Sequence, residues 1–321
     1  MTDGDAVSGD ATSRPPHSFE LFPPRSDAAA LALGRTIDRL AATDPDFFSV
    51  TFGANGSTRE RSLTVLTYIL RNTAIRPMAH LTCVGSTHAD AAALVREFLD
   101  AGIHDFLALR GDPPKDADPD APDVFGGAAE LVQLIYRVEQ EREPYTQQRL
   151  EWYPDAARLT ARPRVATVAV AAFPSGHPRQ RSRWQDVDAL LAKQVAGATL
   201  AITQLFWRAD DYLEYVDRAR AAGVTIPILP GLAPITRAAQ LRRIAELSGH
   251  EAPPSLVAAM AAADDDEAAE IGIAHTAGLA SEVLAGGAPS THWFTFNQHD
   301  AVVRVLHALD PSTPAHTGAD R

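Results

Sequence analysis

The stretch Ala108-Leu109-Arg110-Gly111-Asp112-Pro113-Pro114 carries the densest chemistry in this chain. The apolar run Phe106–Leu109 reads as a short buried strand. Arg110 and Asp112 follow it, at the end where a parallel α/β protein places its reactive groups. Gly111 lets the backbone turn or approach a ligand, and two prolines stop the strand. On pattern alone, a structural Arg110–Asp112 ion pair competes with a site. Glu20 poses a second question. A carboxyl set among Phe19, Leu21 and Phe22 would be buried, and burial would raise its pKa enough for general-acid work near neutrality. A glutamate paired with a neighbouring arginine or lysine weighs equally. His80 and His177 are too isolated for a metal claim and read first as hydrogen-bonded histidines. Cys83 reads as a small buried residue. Arg179, Arg181 and Arg183 could hold phosphate ahead of a helix, or sit in a solvated loop.

Composition narrows what such residues can serve. A net charge of −12 argues against nucleic-acid and anionic-membrane partners, which need a basic surface. One cysteine in 321 residues excludes an internal disulfide and any cysteine-rich metal cluster, and fits a cytoplasmic protein. No apolar run is long enough to span a bilayer. Residues 1–16 lack a basic start and an apolar stretch, so a disordered tail is expected there rather than a secretory signal.

The elements that must position these residues alternate. Strands are expected at Ser18–Phe22, Phe47–Thr51, Met78–Thr82, Phe106–Leu109, Val165–Ala172, Leu200–Gln204, Ile226–Leu229 and His292–Thr295. Helices are expected at Asp27–Ala42, Thr58–Asn72, Thr87–Ala101, Ala128–Arg142, Trp184–Gly197, Asp210–Ala222, Thr236–Ser248 and Asn297–Leu309. Further helices fall near 255–262 and 264–285, and residues 143–164 show no single period, so they read as an insertion between the fourth helix and the fifth strand. Eight strand–helix units of about forty residues are the arithmetic of a single (β/α)8 barrel, here over 17–309 with tails at 1–16 and 310–321. No G-x-G-x-x-G or Walker A motif favours a doubly wound sheet. In a barrel the strand ends share one face, which collects Glu20, Thr51, His80, Arg110, Asp112, Phe173, His177 and Gln204.

Six stretches in order resemble one family. Ser18-Phe19-Glu20-Leu21-Phe22-Pro23-Pro24, Ser49-Val50-Thr51-Phe52-Gly53-Ala54, His80-Leu81-Thr82-Cys83, Ala108-Leu109-Arg110-Gly111-Asp112, Ala201-Ile202-Thr203-Gln204 and Pro230-Gly231-Leu232 are similar to motifs of 5,10-methylenetetrahydrofolate reductases. The resemblance runs from residue 18 to about 309 and implies a (β/α)8 barrel that reduces 5,10-methylenetetrahydrofolate to 5-methyltetrahydrofolate. It implies Glu20 as the general acid. Asp112 would bind the pterin and tune the hydride donor, with Gln204 and Phe296 also on the substrate. Thr51, His80, Arg110, Gly111, Asp112, Phe173, His177, Asp186 and Lys193 would hold the cofactor. NADH is expected over NADPH, as is FAD, with a small-molecule folate and no metal, as monomer or homo-oligomer. The regulatory domain of eukaryotic relatives is not expected.

Departures from the family pattern gather on the flavin side. Phe173 and Ser175 stand where a tyrosine and a glutamate are usual, Ala189 and Ala192 replace an asparagine and an arginine, and Gly127 replaces a tyrosine. Two explanations fit: Arg179, Arg181 and Arg183 compensate and FAD is kept, or the flavin is held weakly or not at all and hydride passes directly from NADH. Two other readings stay open: a folate- or nucleotide-binding paralogue without turnover, and another flavin-linked barrel acting on an amine.

Overall fold

The computed structural model describes residues 15–310 apart from 53–55, 112–124, 143–144, 151–152, 162–164, 178–181 and 183. The chain runs β1 (His17–Leu21), α1 (Asp27–Ala41), β2 (Phe47–Val50), α2 (Gly56–Asn72), β3 (Arg76–Thr82), α3 (His88–Asp100), β4 (Asp105–Leu109) and α4 (Ala128–Arg142). A hairpin follows, β5 (Tyr145–Leu150) and β6 (Tyr153–Ala161), then β7 (Thr167–Ala172), α5 (Gln185–Val195), β8 (Leu200–Thr203), α6 (Ala209–Ala221), β9 (Ile228–Leu229) and β10 (Gly231–Leu232). The chain continues through α7 (Ala238–Ser248), α8 (Pro254–Ala262), α9 (Asp265–Ala285), β11 (Thr291–Phe294) and α10 (His299–Leu309). Among the described residues no helix is long and apolar enough to cross a membrane.

Nine strands pair in parallel in the order β10-β11-β1-β2-β3-β4-β7-β8-β9, the sheet of an α/β barrel with helices around it. Its two ends, β9 and β10, are consecutive in the chain and meet at Pro230. The expected strand Ile226–Leu229 is thus shorter, Ile228–Leu229, and a second short strand, Gly231–Leu232, follows Pro230. Pro230 has no N–H for the ladder. Upstream of it β9 pairs with β8, and downstream β10 pairs with β11. Pro230 O accepts from His292 N at 2.9 Å, and Gly231 N donates to Thr203 Oγ1 at 2.8 Å. The chain itself closes the barrel at that switch.

Side-chain alternation sorts the strands into two cores. Phe19, Leu21, Phe48, Val50, Phe106, Val168, Val170, Ala201 and Trp293 point outward and pack against Leu33, Ile37, Leu66, Val95, Leu131 and other helix residues. Phe47, Met78, Leu107, Ala169, Ile202 and Leu229 form a separate cluster made of strand residues alone, which fills the barrel interior. Thr87, expected inside the third helix, is its N-cap, and it makes a reciprocal capping box with Asp90. The insertion is the antiparallel hairpin β5–β6, with a register shift between Arg149 and Leu150. Its pairing is local, so nothing in its register requires the period that a barrel strand or helix shows. The expected terminal tails lie largely outside the described residues.

Candidate active site

Glu20 is the next-to-last residue of β1, and alternation sends it inward while Phe19 and Leu21 pack outward. It is 7% exposed, and burial pushes its carboxyl up to about 8. Its backbone carbonyl accepts from Thr295 Oγ1 at 2.7 Å, which ties β1 to the end of β11. Among the described residues no arginine or lysine pairs with it. Its neighbour is His80, whose Nε2 lies 3.7 Å from Glu20 Oε2, and burial pushes that imidazole down to about 3. Near neutral pH both groups are therefore uncharged, and the contact is dipolar rather than ionic.

Ser18, Ser49 and His292 add polar side chains to the barrel interior, beside the apolar cluster that contains Phe47. All three are fully buried. His292 stacks on Phe47 at 5.7 Å and contacts Ser18 Oγ through Nδ1 at 2.8 Å.

Other expected residues gather around the strand ends. Thr51 is half-buried, its N bonded to Leu21 O and its O to Ser62 Oγ. Gly111 has φ +84°, and a Cβ there would lie 2.9 Å from Val84 Cγ1 and 3.0 Å from Thr82 Cβ, so the turn after β4 requires glycine. Arg110 is exposed, and its carbonyl accepts from Val84 N. Cys83 is buried with Sγ 3.7 Å from that same carbonyl. Gln204 is half-buried, and its Oε1 accepts from Leu205 N at 2.8 Å.

After β7, Phe173 and His177 pack edge to face at 4.7 Å. Asp186 Oδ2 accepts from His177 N at 3.0 Å, and Lys193 Nζ donates to Ala171 O at 2.8 Å. Burial pushes Lys193 down to about 8, against the opposing pull of Asp186. Both α5 side chains thus fasten the loop and strand of their own barrel unit. Phe296 follows β11 with φ +49° and stacks on Phe22 at 6.1 Å. Asp112, Arg179, Arg181 and Arg183 lie outside the described residues.

Sequence reasoning passed over three residues that hold this face together: Ser18, His292 and Asn297. Asn297 read only as the first residue of the last expected helix, which in the structure begins at His299. Its φ of +59° is a conformation that asparagine tolerates better than most residues.

Comparison with known proteins agrees with this geometry. A family model described as methylenetetrahydrofolate reductase matches residues 8–310. The chain is 30% identical over 294 residues to the 5,10-methylenetetrahydrofolate reductase of Escherichia coli strain K12, covering 91% of this chain and 90% of that protein. It is 31% identical over 294 residues to methylenetetrahydrofolate reductase (NADH) 1 of Arabidopsis thaliana, covering 91% of this chain and 48% of that longer protein. A solved structure of an uncharacterized Clostridium thermocellum protein, which binds two copies of 5-methyl-5,6,7,8-tetrahydrofolic acid, superposes with a TM-score of 0.61 at 13% identity. That match covers 93% of this chain and 95% of the other, and at such identity it speaks for the fold. The chain belongs to the methylenetetrahydrofolate reductase family, a family of oxidoreductases.

Proposed function

We propose that this chain reduces 5,10-methylenetetrahydrofolate to 5-methyltetrahydrofolate with hydride from a reduced nicotinamide, NADH in preference to NADPH. One observation carries the reading: Glu20 is buried at the end of β1 without a basic partner among the described residues, and it holds its proton up to about 8.

The reaction needs such a group. The ring that bridges N5 and N10 opens only when N10 leaves, and an amine leaves poorly unless it is protonated as the bond breaks. Glu20 gives its proton to N10 while the N10–methylene electron pair stays on that nitrogen, leaving an N5 iminium cation. The Glu20 carboxylate then faces the cation inside a low-dielectric site, where their attraction is strong. Hydride adds to the methylene carbon, and Glu20 recovers a proton from solvent. Overall, substrate, reduced nicotinamide and one proton give the methyl product and oxidised nicotinamide. Gln204 Nε2 is left to donate to the pterin, since Oε1 already accepts from Leu205 N. Phe296 on Phe22 offers the folate a flat apolar wall. Asp112 would complete the pterin contacts, and Thr51, His80, Arg110, Gly111, Phe173, His177, Asp186 and Lys193 would frame the nicotinamide. The first turn of α5 carries Asp186 and Asp188, which disfavour the extra phosphate of NADPH nearby.

Among the described residues, those at the flavin positions do not fit a tightly held flavin. Ala189 and Ala192 are exposed on α5 and offer no hydrogen bond, and a Cβ at Gly127 would meet nothing within 4 Å. Lys193 is turned inward onto Ala171 O. Each missing polar contact to a charged group is worth about 1.5–3 kcal/mol. Direct transfer from the nicotinamide is therefore the favoured route.

Glu20→Gln tests the role of the acid. Turnover should fall by about 100-fold or more while 5-methyltetrahydrofolate binds within about threefold of the parent. Parent-like turnover in that variant removes Glu20 from the mechanism.

A further inference from the structure

Ser18 and His292 face each other in register on β1 and β11, and both are fully buried. Ser18 Oγ lies 3.3 Å from Thr291 O and 2.8 Å from His292 Nδ1. A carbonyl only accepts, and a serine hydroxyl has one hydrogen to give. Both contacts hold together only if Ser18 Oγ–H donates to Thr291 O and Oγ accepts from His292 Nδ1–H. Burial, helped by nearby His80, pushes His292 down to about 3, so the ring is neutral. A neutral imidazole protonated at Nδ1 carries its lone pair on Nε2. That Nε2 is buried without a hydrogen-bond partner among the described residues, as is the Nε2 of His80 beside Glu20.

Around these groups β2 contributes Ser49, β4 Leu107, and β11 Phe294 next to His292. His80 on β3 is the titratable neighbour among the described residues. Asp105 starts β4 and pairs with Arg76 at 3.4 Å, at the opposite end of the strand from the site. Among the described residues no cation in the barrel interior pairs with Glu20 to favour its carboxylate.

We propose, building on the reading of Glu20 as the general acid, that Ser18 and His292 are positioning residues for it. Fixing His292 as its Nδ1–H tautomer sets an uncharged acceptor in the barrel interior near His80, the neighbour of Glu20, so the carboxyl keeps its proton until N10 takes it. An acceptor, or the negative end of an imidazole dipole, favours the protonated acid, whereas a donor or positive charge would favour the carboxylate.

The test is a titration of ligand-free protein. The acid C=O stretch of Glu20 is isolated as the infrared difference between each protein and its Glu20→Gln counterpart. In the parent the band should disappear with a midpoint at about 8. His292→Phe can still stack on Phe47, and it should lower the midpoint by about 0.5 pH unit or more, roughly a threefold loss of proton affinity. Ser18→Ala should act in the same direction. His292→Gln keeps a side-chain acceptor and should stay near the parent. A midpoint unchanged or raised in His292→Phe or Ser18→Ala, whichever folds, overturns the proposal. A parent without an acid band at about pH 6 overturns instead the reading of Glu20 on which it rests.

Discussion

Asn297 grips Phe22 by both of its backbone groups. Its Oδ1 accepts from Phe22 N at 2.8 Å, and its Nδ2 donates to Phe22 O at 2.9 Å. A side chain thus extends the β1–β11 pairing beyond the last strand residue, two positions after Glu20. The same clasp holds Phe296, at φ +49°, in a conformation unfavourable to a bulky side chain, with its ring parallel to Phe22 within 10°.

Asn297→Ala should therefore cost stability and catalysis together. Losing two hydrogen bonds to buried or half-buried backbone should lower unfolding free energy by about 1–3 kcal/mol, read from denaturant melts. If the clasp serves mainly to place Glu20, kcat should fall more than KM for folate rises. A variant with parent-like melts and kinetics would show that the clasp is dispensable.

Gly231 and Gly111 should tolerate no side chain, for different reasons. A Cβ at Gly231 would collide with Thr203 O and come within 2.7 Å of the Phe294 ring, at the switch that closes the barrel. Gly231→Ala should cost more than about 3 kcal/mol or abolish folding. At Gly111 the positive φ adds to contact with Val84 and Thr82, and Gly111→Ala should cost about 1–3 kcal/mol. Thermal melts and soluble yield measure both.

Stability should fall on either side of neutrality. Glu20 rises from 4.5 to about 8 on folding, so its contribution is present below 4.5 and is lost as pH climbs through about 8. His80 and His292 fall from 6.5 to about 3, so theirs is present above 6.5 and is lost as pH drops through about 3. Glu20→Gln should flatten the alkaline fall in melting temperature, and His292→Phe part of the acid fall. Melting curves parallel to those of the parent at every pH would contradict the burial of these charges.

The free enzyme's kcat/KM for folate should decline above about 8, as Glu20 loses the proton that N10 needs. Rates flat through that range would mean that another group supplies the proton.

Much of this was legible in the sequence because the signals are local. Phe106–Leu109 ends at Arg110-Gly111 as a barrel strand should, and Ala128–Arg142 is helical at the expected bounds. Phe19, Leu21 and Phe22 around Glu20 marked a buried strand and hence a buried carboxyl, although Phe19 and Leu21 pack on the opposite face from it. The break at Pro230 was not legible, because it depends on which strands lie on either side of it. Nor was the pairing of Ser18 with His292, or of Asn297 with Phe22. Each joins residues more than 270 positions apart, and only barrel closure brings them together. His80 read as a cofactor contact. Its position 3.7 Å from Glu20 follows from the inward alternation of β3, which its motif does not express.

The most direct test of the account is anaerobic NADH oxidation by 5,10-methylenetetrahydrofolate, with bound flavin quantified in the same sample. Flavin-free protein should give folate-dependent turnover, unchanged when FAD is added. Turnover that rises and falls with flavin content would contradict direct transfer, and no turnover in either state would contradict the proposed reaction itself.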